Sequence, residues 1–433
     1  MERETAVQEI HILSSENIAT ITKAQTDDGK YEGNYRWAIM ALGALTNAFT
    51  VAVPIMGLSV LLPEIAKDLN LSLFQSGLVW GMSSLPMIFS SLLGGNLCNR
   101  YGPRKMLIFN SIFIGVAAAL LGVSGNFTFL LLSVLAFGFF GPMITLSNFM
   151  NAVVWFPLHE RGFANGLVAL GMAFGFFIGS ILSATILSPF LHGWRNVFFL
   201  YGAVATLFGL VWITTRSSPN ESMRQETASG TISFKQGISH ISKLASIWFL
   251  GLGVLGNSGA VQGVLGYLPL YLQGQGWSVA QAGGLMATFH ISSMVFVLPI
   301  SFVADRFFSG KTLLIVTSIF AAIGLSLLSI LKGTAIWIPI ILAGMVRDAF
   351  MAIFFTVVSG VKGVGTTYAS LATGLMMVFV GTGNLLAPPI GNSLAAVGTA
   401  RSPLIFWAGL AICGFCCLII SFWQESRVKA AVG

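Results

Sequence analysis

Charge is what this chain has least of. Only 9% of its 433 residues are Asp, Glu, Lys or Arg, while 55% are hydrophobic. A water-soluble domain carries roughly a quarter charged residues. A soluble globular protein is therefore excluded, and repeated apolar runs of about 20 residues indicate an all-α protein that crosses a membrane many times. Cysteine is scarce as well, and Cys98, Cys413, Cys416 and Cys417 all lie in or beside apolar runs. That excludes a disulfide framework, and CGFCC, inside an apolar helix without His or acid nearby, reads as packing. There is no HExxH, no GxSxG and no ATP-binding motif. A membrane enzyme would need one of these sets, so neither catalysis, a metal nor a cofactor is expected. The formal net charge of +7 points towards nucleic acid only until the basic residues are placed. They gather in the loops of one face, so the expected partners are a lipid bilayer and a small molecule, with no nucleic acid.

Glycine is plentiful, at 49 residues, as close helix packing in lipid requires. Twelve candidate spans can be drawn: 37–61, 77–98, 106–123, 127–154, 163–187 and 197–215 in the first half, then 244–272, 280–304, 312–331, 335–359, 368–394 and 404–423. Residues 1–35 are polar and lack the short apolar core of a signal peptide, so they read as a cytoplasmic tail. Residues 36–215 and 244–424 read as two six-helix bundles, 216–243 as a cytoplasmic linker and 425–433 as a second tail. Among Lys and Arg, only Lys67, Arg195, Lys332 and Arg401 fall on the opposite face, and Arg347 lies within a span. The positive-inside rule then places both termini in the cytoplasm, which suits an even number of spans.

The halves repeat at an offset of 206 residues. Asn99-Arg100 falls on Asp305-Arg306, Lys105 on Lys311, Leu62-Pro63 on Leu268-Pro269, and Ser72, Gln75 and Gly77 on Ser278, Gln281 and Gly283. With a small slip, Gly166-Leu167 falls on Gly374-Leu375 and Gly175 on Gly383. Two like-oriented repeats of six spans joined by a linker predict a carrier with its site near the midplane.

The segment GGNLCNRYGPRK, Gly94 to Lys105, resembles the signature of the major facilitator superfamily. Gly95, Arg100, Gly102, Arg104 and Lys105 match it; Asn99 stands where the family has an acid, which survives only as Asp305 in the second half. The resemblance covers about Trp37 to Trp423 and implies the family's twelve-helix fold and a secondary transporter; the two unlike halves suit a monomer, and the composition and short loops suit a cell inner membrane. It also implies that Gly95, Asn99, Arg100, Gly102, Arg104, Lys105, Asp305, Arg306 and Lys311 belong to loops that gate the cytoplasmic ends. Asn99 cannot form the ion pair of an acid, so that latch should be weaker in the first half. The alternative is that these basic residues only anchor topology.

Acidic, basic and imidazole side chains within the spans are His290, Arg347 and Asp348. Buried membrane charge is usually functional. The family lines its cavity with spans one, four, seven and ten, so the resemblance puts Arg347 at the site. A guanidinium fork suits carboxylate and other oxyanions. Adjacent helical residues point about 100° apart, so Arg347 and Asp348 are expected to look in different directions. Asp348 is open to three roles: holding Arg347 or His290, carrying a transported proton, or binding a substrate cation. His290 reads equally as a proton relay or a packing residue. Asn148, Asn151, Asn257, Gln262 and Tyr267 are further candidate substrate contacts, with hydrogen bonding between helices as the alternative. At the repeat position of Arg347 stands Gly141, so the charge is loaded on the second half alone.

GTGNLLAPPIG in the eleventh span resembles the glycine-rich helices of nitrate/nitrite porters; the cyanate and oxalate/formate porters are similar branches. The arginines that the nitrate branch carries in spans two and eight are missing here, as is the span-eleven lysine of oxalate/formate exchangers. The resemblance therefore implies a porter of small organic or inorganic anions, coupled to protons or to a counter-transported ion. A drug or neutral-metabolite efflux porter of the same fold, and a membrane sensor that no longer transports, are the other readings. A channel would show charged rings or a filter loop.

Overall fold

The computed structural model describes residues 34–157, 160–217, 234–307 and 309–430. The tail 1–33 and linker positions 218–233 lie outside the described residues. Twelve helical spans follow one another: α1 (Tyr35–Asp68), α2 (Leu73–Met82 and Leu85–Tyr101), α3 (Pro103–Val123), α4 (Phe127–Trp155), α5 (Arg161–Phe190) and α6 (Trp194–Thr214), then α7 (Ala245–Gly274), α8 (Val279–Phe307), α9 (Gly310–Ile330), α10 (Trp337–Ser359), α11 (Gly365–Val397) and α12 (Ser402–Ala430). Among the described residues, eleven helices are long and apolar enough to cross a membrane, and the interrupted α2 makes twelve.

The starts of these helices follow from local chemistry. Ser72 and Gln75 form a capping box at α2, with Gln75 N–H donating to Ser72 Oγ at 3.1 Å and Ser72 N–H to Gln75 Oε1 at 2.9 Å. Ser278 and Gln281 repeat it at α8, at 3.2 and 3.0 Å. Asn126 caps α4 and Ser309 caps α9. Gly102, at φ +83°, turns the chain sharply between α2 and α3, and Pro103 opens the next helix. Two spans contain wider π-helical turns, Asn47–Ala52 in α1 and Ser183–Leu187 in α5.

Several boundaries differ from expectation. α1 continues through Asp68, past the apolar run that ends near Leu61, because Glu64 and Asp68 find partners beyond the bilayer core. α2 begins four residues early at its capping box. The linker contains a helix, Phe234–Ile241, on which His240 stacks against Tyr368 at 4.5 Å and bonds Gly363 O at 2.8 Å.

Helix packing repeats between the halves. α3 packs on α6 as α9 does on α12, the second segment of α2 on α4 as α8 does on α10, and α1 on α5 as α7 does on α11. Contacts between the halves run from α1 to α7, from the first segment of α2 to α11, and from α5 to α8. Ser59 Oγ donates to Leu265 O at 2.6 Å, linking two positions one repeat apart. Trp80 Nε1 donates to Gln262 O at 2.7 Å, and Asn392 Nδ2 to Leu73 O at 3.1 Å. These bonds lie towards the end that carries the α1–α2 loop. One buried apolar cluster there includes residues of both halves, such as Leu61, Trp80, Leu265 and Leu285. At the other end the cores divide: Ile247, Phe354 and Leu418 cluster in the second half, while Cys98, Met106 and Met143 cluster in the first. The described structure is thus closed at the α1–α2 loop end. Phe109, Phe113, Leu132, Leu207 and Ile412 are exposed on the outer helix faces, as a lipid-facing surface requires.

Glycines recur along α5 and α11, and only some of them form seams. Gly171, Gly175 and Gly179 of α5 sit against the backbone of α1, and Gly383 of α11 sits against that of α7. Gly166 and Gly374, on the same two helices, face open space.

Candidate functional site

A cavity of ≈ 100 Å³ opens between α7, α9, α10 and α11. Its polar lining comes from Asn257, Ser258, Gln262, Arg347 and Asn384; its apolar lining includes Val261, Leu265, Phe350 and Val380. Every lining residue belongs to the second half. Asn257 and Gln262 both line it although they are five residues apart on α7.

Arg347 and Asp348 do face each other, contrary to the helical-wheel expectation. The guanidinium folds back, and Nη1 donates to Asp348 Oδ1 at 3.0 Å. The wheel fixes only where Cβ points, and the arginine stem is long enough to return across one residue. Their side chains are 27% and 36% exposed, so the pair is not sealed in the core. Asp348 N–H also donates to Ser293 Oγ of α8 at 3.2 Å. Arg347 has a second neighbour across the seam: its Cζ lies 5.5 Å from the ring centre of Phe176 on α5. Phe176 in turn stands 5.2 Å from the ring of His290. His290 is buried, with Nε2 3.0 Å from Met56 Sδ of α1. Arg347, Phe176 and His290 therefore form a short chain of contacts from one half to the other.

The remaining candidates are dispersed. Tyr267 lies at the closed end, where its hydroxyl donates to Ala400 O at 2.9 Å and its ring packs on Trp407, so it does not line this cavity. Asn148 and Asn151 are buried in α4, Asn148 against Gly43 of α1, and both carry amide atoms without a hydrogen-bond partner. They too stand outside the cavity. Nearby, Asn47 accepts from Thr145 Oγ1 at 2.8 Å and donates to Met172 Sδ at 3.2 Å. Gly141, the repeat counterpart of Arg347, faces Val51 and Ile114, so the first half offers no charge at that level.

In the signature loop, Arg104 makes the helix-end contacts. It donates from Nη2 to Ile213 O at 2.7 Å, from Nε to Thr215 Oγ1 at 3.3 Å and from Nη1 to Ser217 Oγ at 3.2 Å, tying α3 to the end of α6. Arg100 lies over Tyr101 instead, at 5.4 Å, while Asn99 and Lys105 are exposed. Gly95 comes no nearer to α4 than the Leu146 side chain. Lys311 lies 5.6 Å from the Phe422 ring. The side chains of Asp305 and Arg306 fall outside the described part of the chain.

Three groups escaped the sequence reading. Asn384 sits within the glycine-rich run of α11, where small residues draw attention to packing, yet its Oδ1 is buried without a donor beside the cavity. Ser293 follows His290 by one turn in HISS, and the polar run was its only signal. At the closed end, Glu64 accepts from Ser188 Oγ at 2.6 Å and from Trp194 N–H at 3.0 Å, and Asp68 accepts from Trp194 Nε1 at 3.2 Å and from Arg195. Arg195 also caps α3 at Ser124 O, as Arg401, 206 residues later, caps α9 at Ile330 O.

Comparison with known proteins gives a consistent result. The sequence profile described as Major Facilitator Superfamily matches residues 40–371. A probable sulfoacetate transporter of Cupriavidus necator is 30% identical over 189 residues, 43% of each chain. A probable nitrate/nitrite antiporter of Thermus thermophilus is 27% identical over 254 residues, 56% of each. The matches thus span about half the length of these two relatives. The fold is similar to that of a bacterial homolog of the human lysosomal transporter Spinster, solved inward-facing and unoccupied. That likeness has TM-score 0.68 and 17% identity, over 92% of this chain and 98% of that one.

Proposed function

The chain belongs to the Major Facilitator Superfamily, and from that premise we propose that it is a secondary transporter carrying a small anion through a cell inner membrane. The two relatives named for sulfoacetate and for nitrate/nitrite both move oxyanions. The observation that carries the reading is Arg347, a partly accessible guanidinium at bilayer depth in a cavity whose other polar lining is neutral. In this reading residues 36–215 and 244–424 rock against each other as two units, and a monomer suffices. The anion binds Arg347 while Phe176 reports its occupancy to the opposite unit. If the basic loops face the cytoplasm, the end closed by Trp80 and Leu265 faces outward, and the described conformation is inward-facing. Asp348 holds Arg347 in place and is the group we assign to coupling with protons or a counter-ion. His290 supports the seam. Arg104 braces the signature loop, and Asn99, Arg100 and Lys105 are left for the outward-facing state.

Uptake into proteoliposomes tests this. Sulfoacetate, nitrate and short carboxylates are offered with and without a pH gradient. The wild type should accumulate at least one of them, and Arg347→Gln should lose uptake with a KM raised tenfold or more. If Arg347→Gln moves the anion with unchanged KM and rate, Arg347 is not the anion contact. A folded protein that binds anions but moves none favours the sensor reading.

A further inference from the structure

The polar lining beyond Arg347 says what kind of anion fits. Asn257, Gln262 and Asn384 line the cavity. Asn257 is 93% buried by its 7% exposure, and Asn384 Oδ1 is buried without a donor. A buried polar group left unpaired costs more than a formed hydrogen bond returns. The cavity therefore favours a ligand that both donates and accepts at this wall. Each amide presents donors and an acceptor, and a hydroxyl satisfies either orientation of it. Inorganic oxyanions, sulfonates and plain carboxylates offer only acceptors.

Charge and size narrow the choice further. Arg347 is the single charged residue in the lining, and one of its nitrogens is already held by Asp348. The rest of the fork can take one carboxylate. A second carboxylate would find no cation among the lining residues and would be buried unpaired. The cavity, ≈ 100 Å³, suits a small solute. Val261, Leu265 and Val380 leave an apolar wall for a short carbon chain.

We infer that the cargo is a short hydroxycarboxylate with one negative charge, its carboxylate on Arg347 and its hydroxyls on the amides of Asn257, Gln262 and Asn384. The inference rests on the anion reading of Arg347 given above.

The test compares probes that differ only in hydroxyls. Purified full-length protein in nanodiscs is titrated with propionate, lactate and glycerate, followed by thermal unfolding and by competition for uptake. Each hydroxyl that pairs should tighten binding by up to about tenfold, so the order should be glycerate, lactate, propionate. Asn384→Leu and Asn257→Leu should draw the glycerate-to-propionate ratio towards one. Equal binding of all three by the unmodified protein overturns the inference, and needs no variant to fold. Succinate or malate displacing glycerate at lower concentration overturns the single-charge part. These outcomes leave the anion reading standing. Glycerate affinity unchanged in Arg347→Gln, or no anion bound at all, fails that underlying reading instead.

Discussion

A methyl group at Gly81 should force the closed end open. Gly81 of α2 packs on the backbone of α11, and a Cβ there would stand 2.5 Å from Leu385 O and 3.2 Å from Asn384 O. Ordinary contact begins near 3.4 Å, so the two helices would have to part by about 0.9 Å at this level. These neighbours are backbone atoms inside helices, which cannot rotate away as a side-chain end would. Overpacking of this kind costs about 1–3 kcal/mol. Only the conformation with this seam shut bears the cost, so Gly81→Ala should move the equilibrium towards the opened seam about 5- to 150-fold. Spin labels at Ser72 and Ser393, with the native cysteines replaced, would read the separation across the α2–α11 seam. Gly374→Ala is the control, since a Cβ there meets nothing within 4 Å on the same helix. A distance distribution unchanged in Gly81→Ala, in a protein that still folds, would refute backbone contact as what holds this end shut.

The other expectations are smaller. Trp80→Phe loses the 2.7 Å bond to Gln262 O and leaves a void where the larger indole sat, so it should favour the open seam by about 1–3 kcal/mol in the same spin-label measurement. Arg104→Ala unties α6 from the signature loop and should lower thermal stability by about 1–2 kcal/mol, with anion affinity unchanged in equilibrium binding. Phe176→Leu removes the ring beside Arg347 and His290. It should weaken the link between anion binding and the state of the seam, read as a smaller ligand-induced distance change, while direct binding persists within a few-fold. Asp348→Asn frees the guanidinium, so anion binding should tighten while the response of uptake to a pH gradient falls.

Periodicity and charge bias were enough to read the twelve spans, because a bilayer leaves few other solutions for this composition. The repeat was legible down to single side chains: Ser72 and Gln75 predict the same capping box that Ser278 and Gln281 form. The same offset relates Arg195 to Arg401, yet their shared task of capping α3 and α9 stayed hidden among residues sorted only by side. Side-chain direction was the harder part. Asn151 and Asn257 look alike as polar residues in cavity helices, but one is sealed in the first half and the other lines the cavity. Tyr267 has the chemistry of a ligand contact and spends its hydroxyl on Ala400 O. Asn384 shows the reverse, a contact masked by neighbours whose small size suggested only packing.

The one-sided lining of the cavity has a further consequence. A solute held wholly by α7, α9, α10 and α11 keeps the same partners whichever way those helices are tilted, like cargo strapped to one arm of a balance. Ligand contacts that are equal in two states shift nothing between them. Only the strand of contact through Phe176 breaks that equality. Such a carrier binds its cargo almost equally well from either side of the membrane, and the direction of net movement is left to the gradients.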